Sequence, residues 1–317
     1  MTRTSKTRPG RRSRLPRTLL LVIAMLAIGF SEASGGQAAG RCAFAFVKLP
    51  AEPVGASLAG THLATVGGPA SNAWNPAGLA MQRGCSALVS HATWVAETCW
   101  EWGALAMELP GGRGALGLSC GMLRSGGLEG YTEDGTSTGD FSPLQVHATV
   151  GYGRCVGDCW TMGFLVEAVV DGDGEHQAMT AWAGGGGIQL DLGRVSLGLA
   201  ALHLAPDQKV GKERFPMPAT VSVGASLRLP AGMDLHSTVE MTAAEEPRVA
   251  LGAQWRPVSG MGLCAGTHWD REEAEEPVGL AVGMTVDISR VQIAYGFQPQ
   301  QALEASHQIS LRLPIFN

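Results

Sequence analysis

Gly117-Leu118-Ser119-Cys120-Gly121 has the GxSxG spacing of serine hydrolases, in which a sharp strand-to-helix turn exposes the serine as a nucleophile. Here the five residues fall inside an alternating run, with Gly117, Ser119 and Gly121 on one face, so no such turn is expected. His147 or His268 could act as its base, but no Ser/His/Asp set stands out. Asp171-Gly-Asp-Gly-Glu175, followed by His176, begins like a calcium loop but lacks the downstream bidentate glutamate, and reads as an acidic surface loop. Asp270, Glu272, Glu273, Glu275 and Glu276 read the same way, and two acidic outer loops could bridge to lipopolysaccharide through divalent cations. Gly184 to Gly187 is no phosphate loop, because no Lys-Ser/Thr follows; within a strand it marks a bend or a close approach to the wall. The seven cysteines are odd in number and irregular in spacing, which excludes a disulfide framework and a paired-CxxC zinc site. Cys155 and Cys159 bracket a Val-Gly-Asp turn as either a local disulfide or two thiols. No catalytic, cofactor or metal site is expected, and the chain is not read as an enzyme.

Asn72 to Ala80, NAWNPAGLA, carries local structure instead of chemistry. Asn75 can cap a helical turn, Pro76 suits its first position, and Gly78 permits close backbone approach. Trp74, Asn75, Pro76, Ala77 and Gly78 are therefore assigned a structural role, as a capped turn that anchors an N-terminal plug.

The elements that follow alternate with period two. In LQVHATVGYG, Leu144, Val146, Ala148, Val150 and Tyr152 share one face, and Gln145, His147, Thr149 and Gly151 the other. About fourteen such segments are expected, at 86–95, 98–109, 114–124, 144–154, 159–170, 177–190, 194–205, 219–229, 234–242, 247–256, 261–270, 278–287, 290–298 and 305–315. Even-numbered strands end in short turns such as PGGR, VGD, DLG and PAGM, while odd-numbered ones tend to end in longer polar loops, notably 125–143 and 206–218. Short turns on one rim and long loops on the other mark an outer-membrane β-barrel. Tyr152, Trp160 and Trp255 would form one aromatic girdle, and Trp94, Trp100, Trp102 and Trp269 the other. A soluble sandwich also alternates, but needs neither girdles nor asymmetric loops. The predicted fold is all-β, a transmembrane antiparallel barrel of about fourteen strands with an N-terminal plug.

Residues 1–38 read as a secretory signal peptide: seven basic residues, an apolar run at Leu19–Phe30, then small residues. Without them 16 basic residues face 27 acidic ones, a net charge of about −11, which excludes a nucleic-acid partner. The expected organisation is signal peptide 1–38, plug 39–85 and barrel 86–317, in the outer membrane of a Gram-negative-type bacterium.

AFVKLPAEPVGASLAGTHLATVGGPASNAWNPAGLA and the closing AYGFQPQQALEASHQISLRL resemble the PorV/PorQ family of outer-membrane proteins, related to FadL-type fatty-acid channels. Trp74 to Leu79 is the most specific part of the likeness; Gly60 to Ala64 departs from the family's usual sequence. The resemblance implies a FadL-like barrel whose N-terminal segment folds into the periplasmic end. It also implies a role in type IX secretion or surface attachment, with exported cargo or secretion components as partners. The second expectation is a FadL-type channel for small hydrophobic molecules. Outer-membrane lipid and lipopolysaccharide would surround the barrel in either case.

Overall fold

The computed structural model describes residues 42–94, 98–132, 134–172, 178–210, 213–243, 245–270, 279–299 and 305–316. The predicted signal peptide, most of the Asp171–His176 loop, the four glutamates after Asp270 and most of the 300–305 loop lie outside the described residues.

Among the described residues, fourteen strands close into one antiparallel barrel. They are β1 (Cys85–Thr93), β2 (Cys99–Glu108), β3 (Ala115–Arg124), β4 (Leu144–Cys155), β5 (Trp160–Gly172), β6 (Met179–Asp191) and β7 (Val195–Leu204). The second half comprises β8 (Thr220–Arg228), β9 (Met233–Thr242), β10 (Arg248–Val258), β11 (Met261–Asp270), β12 (Gly279–Ile288), β13 (Val291–Gln298) and β14 (Ser306–Phe316). Each strand pairs with its sequence neighbour, and β1 pairs with β14 from Cys85↔Phe316 to Thr93↔His307, so no edge remains. Closure matters because lipid offers no partner to an unpaired backbone group.

Alternation sorts the side chains. Val89, Leu118, Val150, Phe164, Leu280 and Ile309 point outward and stay exposed, whereas Ser90, Thr149, Glu167, Gln189 and Gln308 point inward and are buried. An apolar exterior distributed round a closed wall is a lipid-facing band, and it places this barrel in an outer membrane. No helix among the described residues is long and apolar enough to cross a membrane.

The two longest outer connections are not plain loops. Leu128–Tyr131 pairs with Ser137–Phe141, and Gln208–Val210 with Glu213–Phe215, each a small two-stranded ribbon. The girdle expectation needs correction at two positions. Trp100 and Trp102 point into the lumen and are 2% and 4% exposed; on the outer half Trp182, 67% exposed, faces outward instead. Trp255 and Trp269 do face outward, as does Phe164, whose ring lies 5.5 Å from that of Tyr152 at a tilt of 47° near the short-turn rim.

Candidate functional site

Residues 42–84 lie inside the barrel as a chain of short helical turns: Ala45–Lys48, Pro53–Ser57, Thr61–Ala64, Gly68–Ala70, Ser71–Trp74 and Pro76–Met81. Left-handed residues at Ala59, Gly60 and Gly68 interrupt them, so no turn grows into a helix. The segment begins at the long-loop rim, where Ala43 N–H donates to Pro216 O (3.0 Å) and Lys48 pairs with Glu245. It ends at the short-turn rim, where Gly84 N–H donates to Glu108 Oε2 at 3.0 Å. The expected position in the periplasmic end alone is therefore corrected, because these contacts spread the segment over the full height of the lumen.

Its course follows the wall. Working back from β13 to β3, every strand except β9 presents an inward glycine to the segment, in an order that mirrors the segment's own. Gly296 and Gly283 face Ser57, Gly266 faces Leu58, Gly252 faces Thr61, and Gly224 and Gly198 face Leu63. Gly187, Gly163 and Gly153 then face Asn75, Pro76 and Leu79. A β-carbon at Gly163 would lie 2.6 Å from Ala77 N, and one at Gly153 2.7 Å from Pro76 O. These are backbone atoms that cannot step aside. Many of the glycines are direct cross-strand partners, including Gly163↔Gly187, Gly198↔Gly224 and Gly252↔Gly266.

Two side chains fasten the segment at its turns. Glu52 caps Pro53–Ser57 by accepting from Val54 N–H at 2.7 Å and Gly55 N–H at 2.6 Å. The His62 imidazole lies 3.6 Å from the same carboxylate. Asn75, fully buried, caps Pro76–Met81 through Oδ1, which accepts from Ala77 N–H at 3.1 Å. Its Nδ2 donates to Leu63 O (3.2 Å) within the segment and to Ile188 O (3.2 Å) and Leu199 O (3.4 Å) on the wall. Gln189 adds donations to Leu63 O and Val66 O, both at 3.1 Å. Gly78 is packed against Val66 O, and Pro76 occupies the first helical position. Trp74 is stacked over Gly55, and Ala77 is fully buried.

The segment divides the lumen's character. In the outer half Phe44, Phe46 and Val47 pack with Trp100, Trp102, Val169 and Met217 in an apolar cluster that extends down β1 to Leu88. Phe46 meets Trp100 edge-on at 6.4 Å, and Trp100 Nε1–H donates to Pro50 O at 3.1 Å. At the short-turn rim lies a polar cleft of about 450 Å³, lined by Gln82, Arg83, Asp287, Arg290 and Arg312 among others.

The remaining sequence candidates do not converge. Ser119 sits mid-strand in β3 with Thr149 and Ala104 across from it, so the GxSxG residues form flat strand and not an elbow. Cys155 and Cys159 are free thiols, and Cys155 Sγ faces Ala80 O at 3.9 Å. The Gly184–Gly187 run does both things expected of it. Register against β7 shifts between Gly184 and Gly186, and Gly187 meets Asn75. Glu167 and His203, which meet His147 beside this bulge, were not singled out by the sequence; a carboxylate alone on the inward face of VEAVV was the available signal.

No protein-family model matches the sequence, and no curated protein is similar enough to place it. Solved structures do share the fold. The Pseudomonas putida toluene transporter TodX superposes with a TM-score of 0.62 at 13% identity, over 84% of this chain and 99% of that one. The Ralstonia pickettii toluene transporter TbuX gives 0.58 at 15% identity over 84% and 98%, and a Pseudomonas aeruginosa FadL homologue 0.56 at 10% over 84% and 98%. At such identities the likeness is one of fold: a FadL-like outer-membrane barrel.

Proposed function

We propose that this barrel is a conduit carrying small hydrophobic molecules across the outer membrane, with residues 42–84 as its internal plug. The observation that carries the reading is the apolar outer lumen built from Phe44, Phe46, Trp100 and Trp102. Water-filled porin lumens are polar, and an apolar interior at the outer mouth suits solutes that partition out of water. The TodX and TbuX structures, both toluene transporters, support the same direction. Docking of exported cargo, the role implied by the PorV/PorQ resemblance, draws no support from these neighbours. The plug would then be an element that shifts to let a solute pass, and the small-residue wall leaves it held by packing and a few hydrogen bonds.

Photolabelling tests the reading directly. A diazirine-bearing alkylbenzene, irradiated with the folded barrel in detergent, should label peptides containing Trp100, Trp102 and Ala43–Ala51. Excess toluene should suppress that labelling. Labelling confined to lipid-facing positions such as Phe164 and Trp182 would contradict it.

A further inference from the structure

His147, Glu167 and His203 come from β4, β5 and β7 and converge on the wall of the outer lumen. His147 Nε2 lies 2.6 Å from Glu167 Oε2, and His203 Nδ1 lies 3.0 Å from both carboxylate oxygens. Their donor atoms all fall within 4.8 Å of one another. The Glu167 side chain is 2% exposed, His147 10% and His203 12%.

The backbone is bent to achieve this. Leu202 faces the lumen, so strict alternation would send His203 into the lipid. A bulge in β7 opposite Gly185 breaks the alternation, and His203 takes a left-handed φ of 58° that turns its imidazole inward. That conformation is disfavoured for a residue bearing a β-carbon. β6 lies between β5 and β7, and its Ala183, the direct cross-strand partner of Glu167, is small where His203 reaches past it to the carboxylate. The bulge and the left-handed residue together bring His203 to Glu167.

Two imidazoles and one carboxylate are a donor set for a borderline divalent ion, with coordination positions left open. Zinc at its usual bond lengths would hold such atoms about 3.3 Å apart, so the 2.6 and 3.0 Å pairs would open slightly and the widest pair, no more than 4.8 Å apart, would close by side-chain rotation to admit an ion. Thr149 Oγ1, 3.2 Å from His147 Nε2, stands at the edge of the set.

We propose that His147, Glu167 and His203 bind one divalent transition-metal ion of the zinc class, fastening β4, β5 and β7 across the bulge. The site goes beyond the conduit reading and does not depend on it.

The test uses untagged full-length barrel, folded in detergent, stripped with chelator and titrated with Co²⁺ alone. One equivalent should bind with intense visible d–d absorption and be displaced by Zn²⁺. Glu167→Gln and His203→Gln should each weaken binding by more than about 100-fold, beyond the loss of an outer-shell partner. Heat-modifiable electrophoretic migration reports whether each variant is folded. A folded wild-type barrel that takes up no Co²⁺ saturably, or folded variants that bind it as tightly, would overturn the site and leave a hydrogen-bonded triad only.

Discussion

Asn75→Leu is expected to turn a barrel of low conductance into one that opens frequently in planar lipid bilayers. Asn75 is buried and nearly fills the space left by Gly187, so leucine replaces its volume but none of its hydrogen bonds. The cap on Ala77 N–H is lost, at about 1 kcal/mol. The donations to Ile188 O and Leu199 O are lost, at about 1 kcal/mol each, while Leu63 O still accepts from Gln189 Nε2. Asn75→Asp separates the two contributions, because it keeps the capping oxygen and removes only the donor. It should open the barrel too, since it sets a carboxylate against wall carbonyls. Conductance unchanged in both variants would show that the turn at Trp74–Gly78 does not hold the plug.

Filling the glycine belt should have a still larger effect. In Gly163→Leu with Gly187→Leu, one new side chain starts 2.6 Å from Ala77 N and the other 2.9 Å from Asn75 Cγ. Overpacking at each site costs about 1–3 kcal/mol, and here it falls on the turn that carries Asn75. The wall itself keeps its ladders and lipid-facing side chains, so the barrel should still fold and show heat-modifiable migration. Residues 42–84 should leave their seat and become cleavable by added protease. Gly184→Ala is the control, because its β-carbon meets Leu165 O at an ordinary 3.5 Å. Continued protection of the segment in the double variant would mean that the belt does not position it.

The strands were legible because a membrane wall imposes period two on every one of them, and predicted and observed ends differ by no more than two residues. Facing was less legible where both faces are apolar. In CWEWGALAME the alternation is weak, so the sequence puts Trp100 and Trp102 near the long-loop rim but leaves their facing open, and the structure turns both into the lumen. The capped turn at Asn75 could be read locally, since cap and proline are adjacent in sequence. Its wall partners Ile188 and Leu199 could not, being more than a hundred residues away. The glycine belt appears only when strands are set in register and Gly163 comes to stand beside Gly187. His203 was hidden for a different reason. A bulge reverses the parity on which every facing assignment depends, so a histidine that strict alternation would turn to the lipid joins Glu167 in the lumen.

The property proposed for this barrel is the passage of small hydrophobic molecules across the outer membrane. Its most direct measurement is the uptake of radiolabelled toluene by cells that express the protein, compared with cells that lack it and with uptake of a labelled sugar. Saturable toluene uptake that depends on the protein, with sugar uptake unchanged, is the predicted result. Toluene uptake equal in both strains would contradict the account.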